Sequence, residues 1–157
     1  MRIDIKIKAI SLWEPWASLI RTGTKHYETR SWATSYRGPL LICAAKGGLK
    51  RQELTLLLRD KTFQNGLMPE LKGNCLLMER GDEWLLQRLH FGKAVAIVEL
   101  VNCIKTEDVR YLLSKEERIF GDYDPDRWAW KLKNIRDINP FPVKGKQGLF
   151  EVELPDA

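Results

Sequence analysis

The segment from Lys93 to Val101 constrains the fold of this chain more than any other part of the sequence. It consists mainly of small, β-branched and other apolar residues, and it begins directly after Gly92, a residue type that favours turns. A short apolar run bounded in this way is typical of a buried strand. We therefore predict that this strand crosses the core.

Changes in the spacing of apolar residues predict further strands and short helices. Alternation predicts a first strand from Ile3 to about Ile10, and other strands are expected at 25–32, 40–45, 128–138 and 149–154, the last two separated by Pro140 to Pro142. Short helices are predicted at 11–23, 50–60, 82–89 (capped by Asp82) and 106–114, with a loop rich in Gly, Asn and Pro at 65–74. Because strands and helices do not alternate strictly, the predicted class is α+β, with a small, curled, mostly antiparallel β-barrel and short helices packed around it.

The composition indicates one soluble domain over residues 1–157. No apolar run approaches the roughly 20 residues that span a bilayer, so no membrane partner is expected. The N-terminus has no apolar signal segment, and Cys43, Cys75 and Cys103 are far apart, as is usual for thiols in a reducing compartment, so a cytoplasmic protein is expected.

The two histidines, His26 and His90, have no closely spaced cysteines beside them, so we expect no metal and no cofactor. The sequence does not indicate an oligomeric state.

Positive charge is concentrated in the first third of the chain. Residues 1–51 contain ten Lys or Arg against three Asp or Glu, a net charge of +7, whereas the whole chain carries +5. The remaining residues therefore carry −2. A basic segment on a nearly neutral remainder suits a phosphate-binding face, because one face is enough to neutralise a charged ligand. Surplus charge for solubility is the alternative explanation, and charge alone does not decide between the two.

The densest group of motifs lies between Ser11 and Trp32. Within it, Pro15–Ala17 begins a helix, Gly23–Lys25 forms a turn, and Glu28–Arg30 lies on the strand that follows. This combination of a Pro-Trp-Ala helix start, a Gly-x-Lys turn and a Glu-x-Arg strand resembles the signature of the ASCH domain family. Several coupled motifs make the resemblance specific.

Two later stretches, 121–132 and 142–150, resemble the C-terminal half of bacterial and phage members of the same family. The resemblance thus reaches both ends of the chain, and it implies that residues 46–92 are a family-variable insertion of helices and loops in a single ASCH domain. It also implies a PUA-like β-barrel, a cleft between the first helix and the barrel, and RNA-related binding. The partner that the resemblance implies is RNA or another single-stranded nucleic acid, or a nucleotide-like small molecule.

Three charged residues in the motif region form the centre of the candidate site. Lys25 follows the glycine that ends the helix, so its ammonium is expected at an edge between elements, where a ligand can approach. Glu28 and Arg30 lie two apart on a strand and share a face, so Arg30 can both orient Glu28 and contact a phosphate. A salt-bridge ladder on the surface is the structural alternative.

Aromatic residues flank this charged cluster. Trp13, Trp16 and Trp32 can offer the stacking faces that unpaired bases require. Trp16 also lies on a helical stripe of apolar residues, which is typical of a core, whereas Trp13 and Trp32 are better placed to line a cleft. Lys146 and Gln147 lie in a glycine-rich turn that can present an ammonium and backbone N–H groups to a phosphate. An ordinary connection with solvent-facing lysines is the alternative for that turn.

The candidate site fits binding better than catalysis, and hydrolysis is the alternative. Bacterial acetylcytidine amidohydrolases, a branch that resembles this superfamily, use a Lys, a Thr and a Glu. Their Lys corresponds to Lys25, and their Thr to the position of Glu28. In this chain Glu28 can act instead as a general base, with Lys25 holding a developing oxyanion, on RNA or on a modified nucleoside. The primary prediction is binding of RNA or a nucleotide ligand through a basic, tryptophan-flanked cleft.

Overall fold

The protein is described by a computed structural model that covers residues 5–71 and 81–155. Its strands form a single six-stranded sheet in the order β2-β5-β4-β3-β1-β6. The strands are β1 (Lys6–Leu12), β2 (Tyr27–Arg30), β3 (Gly38–Ala44), β4 (Lys93–Lys105), β5 (Trp128–Pro142) and β6 (Phe150–Glu153). β1 and β3 run parallel, and each of the other neighbouring pairs is antiparallel. The predicted α+β class with a curled, mostly antiparallel sheet is confirmed, in the form of a half-barrel with β2 and β6 at its edges.

Short helices pack around the sheet. They are α1 (Trp16–Arg21), α2 (Arg51–Arg59), α3 (Lys61–Leu67), α4 (Asp82–Gln87), α5 (Thr106–Val109) and α6 (Lys115–Ile119), with a 3-10 turn at Arg110–Leu112. The first helix is shorter than predicted, because β1 continues to Leu12 and keeps pairing with β3 there. None of the helices within the described residues is long and apolar enough to cross a membrane.

The predicted loop at 65–74 is wrong over its first residues, because Asn65 and Gly66 belong to α3. A side chain at Gly66 would place its Cβ 2.7 Å from a methyl carbon of Leu19 on α1, so the residue allows two helices to approach closely. Its carbonyl oxygen also accepts hydrogen bonds from the hydroxyls of Thr22 and Thr24, each at 2.8 Å. The glycine therefore serves packing between helices rather than a turn. Residues 72–74 of the predicted loop lie outside the described residues.

Two further predictions about element ends are wrong. Asp82 does not cap α4, since Gly81 occupies the N-cap position and the Asp82 carboxylate lies 2.8 Å from the Arg59 guanidinium. Pro140 to Pro142 do not end a strand, because β5 continues through them. Beyond Lys131, β5 has β4 as its paired neighbour and no longer pairs with β2. Prolines are tolerated there because one edge of the strand needs no amide donor.

The first helix lies between the sheet and the other helices, and it contributes to two apolar clusters. Ala17 and Ile20 pack with sheet residues, including the fully buried Trp130. Leu19 packs with a second cluster that is formed mainly by α2, α3 and α4. The position of α1, and hence of the motif region around it, is therefore fixed from both sides.

Buried polar contacts also fix the start of α1. The Glu14 side chain is 1% exposed and accepts hydrogen bonds from the backbone N–H of Ser18 at 2.9 Å, from the Ser18 hydroxyl at 2.7 Å and from the backbone N–H of His90 at 2.8 Å. The His90 ring contacts Glu70 at 2.9 Å, and Glu70 also pairs with Arg21 at the end of α1. These contacts join both ends of the helix to residues 70 and 90.

Candidate functional site

Lys25 lies in the interior, in contrast to the edge position that its place after Gly23 predicts. Its side chain is fully buried, and its ammonium donates a hydrogen bond of 2.9 Å to the carbonyl oxygen of Phe120. Complete burial lowers the pKa of Lys25, and the neighbouring carboxylates of Glu28 and Glu117 oppose that decrease. The enclosed ammonium also lies beside Glu28, whose Oε1 is 3.8 Å from the Lys25 Nζ.

Glu28 and Arg30 share one face of β2 and pair with each other, as predicted from their spacing. The Arg30 Nε donates to Glu28 Oε2 at 3.0 Å, and the Arg30 Nη2 donates to the carbonyl oxygen of Ser11 at 2.7 Å. The Glu28 side chain is 13% exposed and that of Arg30 is 24% exposed. Both carboxylate oxygens of Glu28 therefore have a cation beside them, and the arginine is held by the end of β1.

These two side chains reach a cavity of about 560 Å³, which we call the inner cavity. It is lined by Ser11, Leu12, Trp13, Trp16, Glu28, Thr29, Arg30, Ile119, Phe120, Gly121, Asp122 and Arg127. The volume falls within the range of roughly 300–1,000 Å³ that is usual for small-molecule sites. Lys25 does not line it.

The far wall of the inner cavity is the segment that follows α6. The backbone N–H of Asp122 donates to the Thr29 hydroxyl at 3.0 Å, which ties this segment to β2. The Arg127 guanidinium contacts the Asp122 carboxylate at 3.4 Å and donates to the carbonyl oxygen of Thr29 at 3.4 Å. Sequence reasoning did not assign Asp122 or Arg127 to the site, although both fall in the stretch 121–132 that carries the family resemblance.

Gly121 lets this wall approach β2 closely. A Cβ at this position would lie 2.8 Å from a ring carbon of Tyr123 and 3.3 Å from the Thr29 side chain. We expect Gly121→Ala to push the wall outward and to lower the free energy of unfolding by about 1–3 kcal/mol, as is usual for overpacking. Urea unfolding will measure the change. Gly47→Ala is the control, because no atom lies within 4 Å of its added Cβ, and an equal decrease in both variants would contradict the close packing at Gly121.

A second, larger cavity of about 1030 Å³, here called the loop cavity, adjoins the first. The two cavities share Ser11, Trp13 and Arg30, so they adjoin each other, and together they are called the cleft. The loop cavity is lined by the turn with Lys146 and Gln147 and by Lys46, which follows the end of β3. Because β1 and β3 are parallel, their C-terminal ends lie at the same end of the sheet, and Trp13 and Lys46 follow those ends.

The three candidate tryptophans occupy different environments. Trp13 is 52% exposed and lines both cavities, where its indole packs against Gly48. Trp32 lines the loop cavity and is half-buried, with its ring 4.9 Å from that of Trp130. Trp16 lines the inner cavity with part of its surface and packs edge-on against Phe63 with the rest. The structure thus brings Trp13, Trp16, Glu28 and Arg30 together, with Trp32, Lys146 and Gln147 further along the cleft.

Few other groups in the cleft suit nucleophilic or metal chemistry. Within residues 5–71 and 81–155, no three His, Cys, Asp or Glu side chains are grouped so that they can hold a metal ion. Burial raises the pKa of the Cys43 thiol to about 12, which suppresses its nucleophilic thiolate form. The described part of the cleft therefore offers two carboxylates, two guanidiniums and exposed indole surface in the inner cavity, and lysine ammoniums in the loop cavity.

Comparisons with known proteins agree with the motifs. The ASCH domain profile matches residues 10–142. Activating signal cointegrator 1 of Homo sapiens is 26% identical over 148 residues, and the protein of the same name from Mus musculus is 23% identical over 145 residues. Both alignments cover 92% of this chain but 22% of the relative, so the chain spans about a fifth of the length of these proteins. The crystal structure of a mutant ZmASCH protein from Zymomonas mobilis superposes with a TM-score of 0.51 at 13% identity, covering 92% of this chain and 88% of that one, which shows a shared fold.

Proposed function

Because the chain belongs to the ASCH domain family, we propose that its cleft binds single-stranded RNA or a nucleotide-containing ligand. One observation carries the proposal: the inner cavity has a carboxylate at Glu28, a guanidinium at Arg30 and a half-exposed indole at Trp13 around a volume of about 560 Å³. Unpaired bases are recognised by this combination of aromatic stacking and hydrogen bonds to their edges.

In this proposal one base enters the inner cavity and contacts Glu28. An ionised carboxylate only accepts hydrogen bonds, so it favours bases that present an amino group, as cytosine, adenine and guanine do. Uracil presents a carbonyl oxygen at the corresponding edge and is disfavoured. Trp13 lies at the border of the two cavities, where it can stack on this base or on the next one.

The loop cavity then takes the backbone that leads away from the bound base. Lys46, Lys144 and Lys146 line it, and no carboxylate is among the described residues that line it. Arg30 reaches both cavities, so it is placed between the base and the first phosphate. This distribution of charge supports a ligand with a backbone over an isolated nucleobase.

Lys25 has a positioning role in this proposal. Its ammonium is enclosed, hydrogen-bonded to Phe120 and close to Glu28, so it helps to hold that carboxylate in place without touching the ligand. It also anchors the segment that forms the far wall. The contact between Lys25 and a ligand that the sequence suggested therefore needs a rearrangement of the buried side chain.

Hydrolysis of RNA or of a modified nucleoside is the second candidate function. A fully buried lysine with a lowered pKa beside a carboxylate that lines a cavity is an arrangement found in active sites. In this version Glu28 is the general base, and Arg30 or Arg127 stabilises the negative charge that develops on the substrate.

The test is to incubate the protein with labelled single-stranded RNA at two salt concentrations and to record mobility shift and fragment length together. Intact RNA with a salt-sensitive shift supports binding. Fragments that disappear in Glu28→Gln support hydrolysis. If neither a shift nor fragments are found, the RNA proposal is wrong, and modified nucleosides are tested next for hydrolysis.

Replacing Trp13 tests the stacking contact. We expect Trp13→Ala to weaken RNA binding by about five- to 150-fold, since stacking on one base contributes about 1–3 kcal/mol. Fluorescence anisotropy with a short labelled RNA measures the affinity. Leu56→Ala removes another exposed apolar side chain, 72% exposed and outside both cavities, so it is expected to leave the affinity unchanged. Equal affinities of the Trp13→Ala variant and the unaltered chain would contradict the stacking contact.

A further inference from the structure

A third cavity of about 500 Å³, here called the side cavity, lies beside α5 and α6. The cationic side chains of Arg110, Lys115 and Arg118 line it, against a single carboxylate at Asp124. None of these three cations has an ion-pair partner in the described part of the chain. Three cations around one concavity repel each other, so the arrangement favours an anion between them.

Two residues that line the side cavity each have a buried donor without a hydrogen-bond partner among the described residues. The Tyr123 hydroxyl is buried without a partner among the described residues, and the whole residue is 8% exposed. The Arg110 Nε is likewise buried and unpartnered there, although the other guanidinium nitrogens donate to the Tyr123 carbonyl oxygen at 3.3 Å and to the Tyr111 hydroxyl at 3.0 Å. Buried donors of this kind normally have an acceptor.

The side cavity lies next to the inner cavity of the cleft. Ile119, at the end of α6, lines both the side cavity and the inner cavity. The inner cavity in turn shares Trp13 and Arg30 with the loop cavity. The inner cavity, which contains Glu28, therefore adjoins both of the other cavities.

We propose that the side cavity is a second phosphate subsite, which holds the backbone of the same single-stranded nucleic acid on the opposite side of the bound base from the loop cavity. The proposal rests on the proposed function of the cleft. A phosphate has acceptor oxygens for the guanidiniums of Arg110 and Arg118 and for the Lys115 ammonium, which line the side cavity. The cleft then binds a strand that passes through it, with phosphates held on both sides of one recognised base.

The experiment compares ligand lengths in the double variant Lys115→Gln/Arg118→Gln, in which both side chains are exposed and outside the inner cavity. For single-stranded RNA of about ten nucleotides, we expect affinity to fall about tenfold and the slope of log affinity against log salt to decrease by about 0.7 for each phosphate that the variant no longer neutralises. For a mononucleotide, which fills only the inner cavity, we expect the two proteins to bind equally. The difference between lengths separates a backbone subsite from a site for free phosphate.

A matched variant controls for the reduced net charge. Lys133→Gln/Arg136→Gln removes two exposed cations of β5 that line none of the three cavities. Equal decreases in affinity for both double variants, or no decrease for Lys115→Gln/Arg118→Gln, would overturn the subsite and leave the cleft proposal intact. A decrease for the mononucleotide as large as that for the longer RNA would also overturn the backbone assignment. Absence of RNA binding by the unaltered chain would overturn the subsite and the RNA form of the cleft proposal, and binding of the mononucleotide alone would then support a nucleotide ligand.

Discussion

Glu14→Ala is expected to lower the free energy of unfolding by about 3–5 kcal/mol, a large share of the 5–15 kcal/mol that is typical of a domain. The Glu14 carboxylate satisfies three buried donors, two on Ser18 and one on His90, and alanine leaves them without an acceptor. The substitution also removes the hydrogen bond that joins the start of α1 to His90, which shortly precedes β4. Chemical denaturation monitored by tryptophan fluorescence measures the change.

Two variants make this expectation specific. Glu14→Gln keeps one carbonyl oxygen but turns a donor toward other donors, so its decrease in stability should be intermediate. Glu83→Ala removes a carboxylate whose pair with Arg51 is exposed, with side chains 70% and 57% accessible, and should cost less than about 1 kcal/mol. A Glu14→Ala variant as stable as Glu83→Ala would show that the buried contacts do not stabilise the fold.

Arg30→Ala is expected to lower ligand affinity about thirtyfold, or by roughly 2 kcal/mol, as for the removal of a charged hydrogen-bonding group. Arg30 holds Glu28 and the end of β1, and it lines both cavities of the cleft. Its removal therefore eliminates a proposed contact to the ligand, and it also leaves the Glu28 carboxylate, which is proposed to contact the base, without the arginine that holds it. Titration of labelled RNA with the variant measures the change.

Arg30→Lys separates these two effects. Lysine keeps the positive charge but does not hold Glu28 and Ser11 at the same time, because it lacks the planar fork of the guanidinium. We expect it to restore most of the salt dependence and little of the preference among bases. Thermal unfolding of both variants checks that they are folded. Unchanged affinity in a folded Arg30→Ala variant would remove Arg30 from the proposed site.

The strands were predictable because their signal is local. Alternating residues around Glu28 and the apolar run from Lys93 to Val101 identify β2 and β4 without knowledge of the rest of the fold. Gly66 shows the limit of such reasoning. A glycine after an asparagine usually indicates a turn, and its place inside α3 depends on contact with Leu19, which is remote in sequence.

The pairing of side chains in the candidate site was predictable from the sequence, but the burial of Lys25 was not. The pairing of Glu28 with Arg30 follows from their spacing on one strand. The burial of Lys25 does not, because its enclosure depends on the carbonyl oxygen of Phe120, 95 residues further along the chain. Asp122 and Arg127 enter the site through contacts with Thr29 that are equally distant in sequence.

The pairing of β2 with β5 determines when, during synthesis, this part of the sheet can form. β2 has β5 as its neighbour in the sheet, so Glu28 and Arg30 find their strand partners at Trp130 and Trp128. A ribosome must therefore add about a hundred further residues after this strand before the strand can pair, and such non-local pairing is slow. The basic segment at residues 1–51 is translated well before β5, but its cleft is assembled only after β5 has been added.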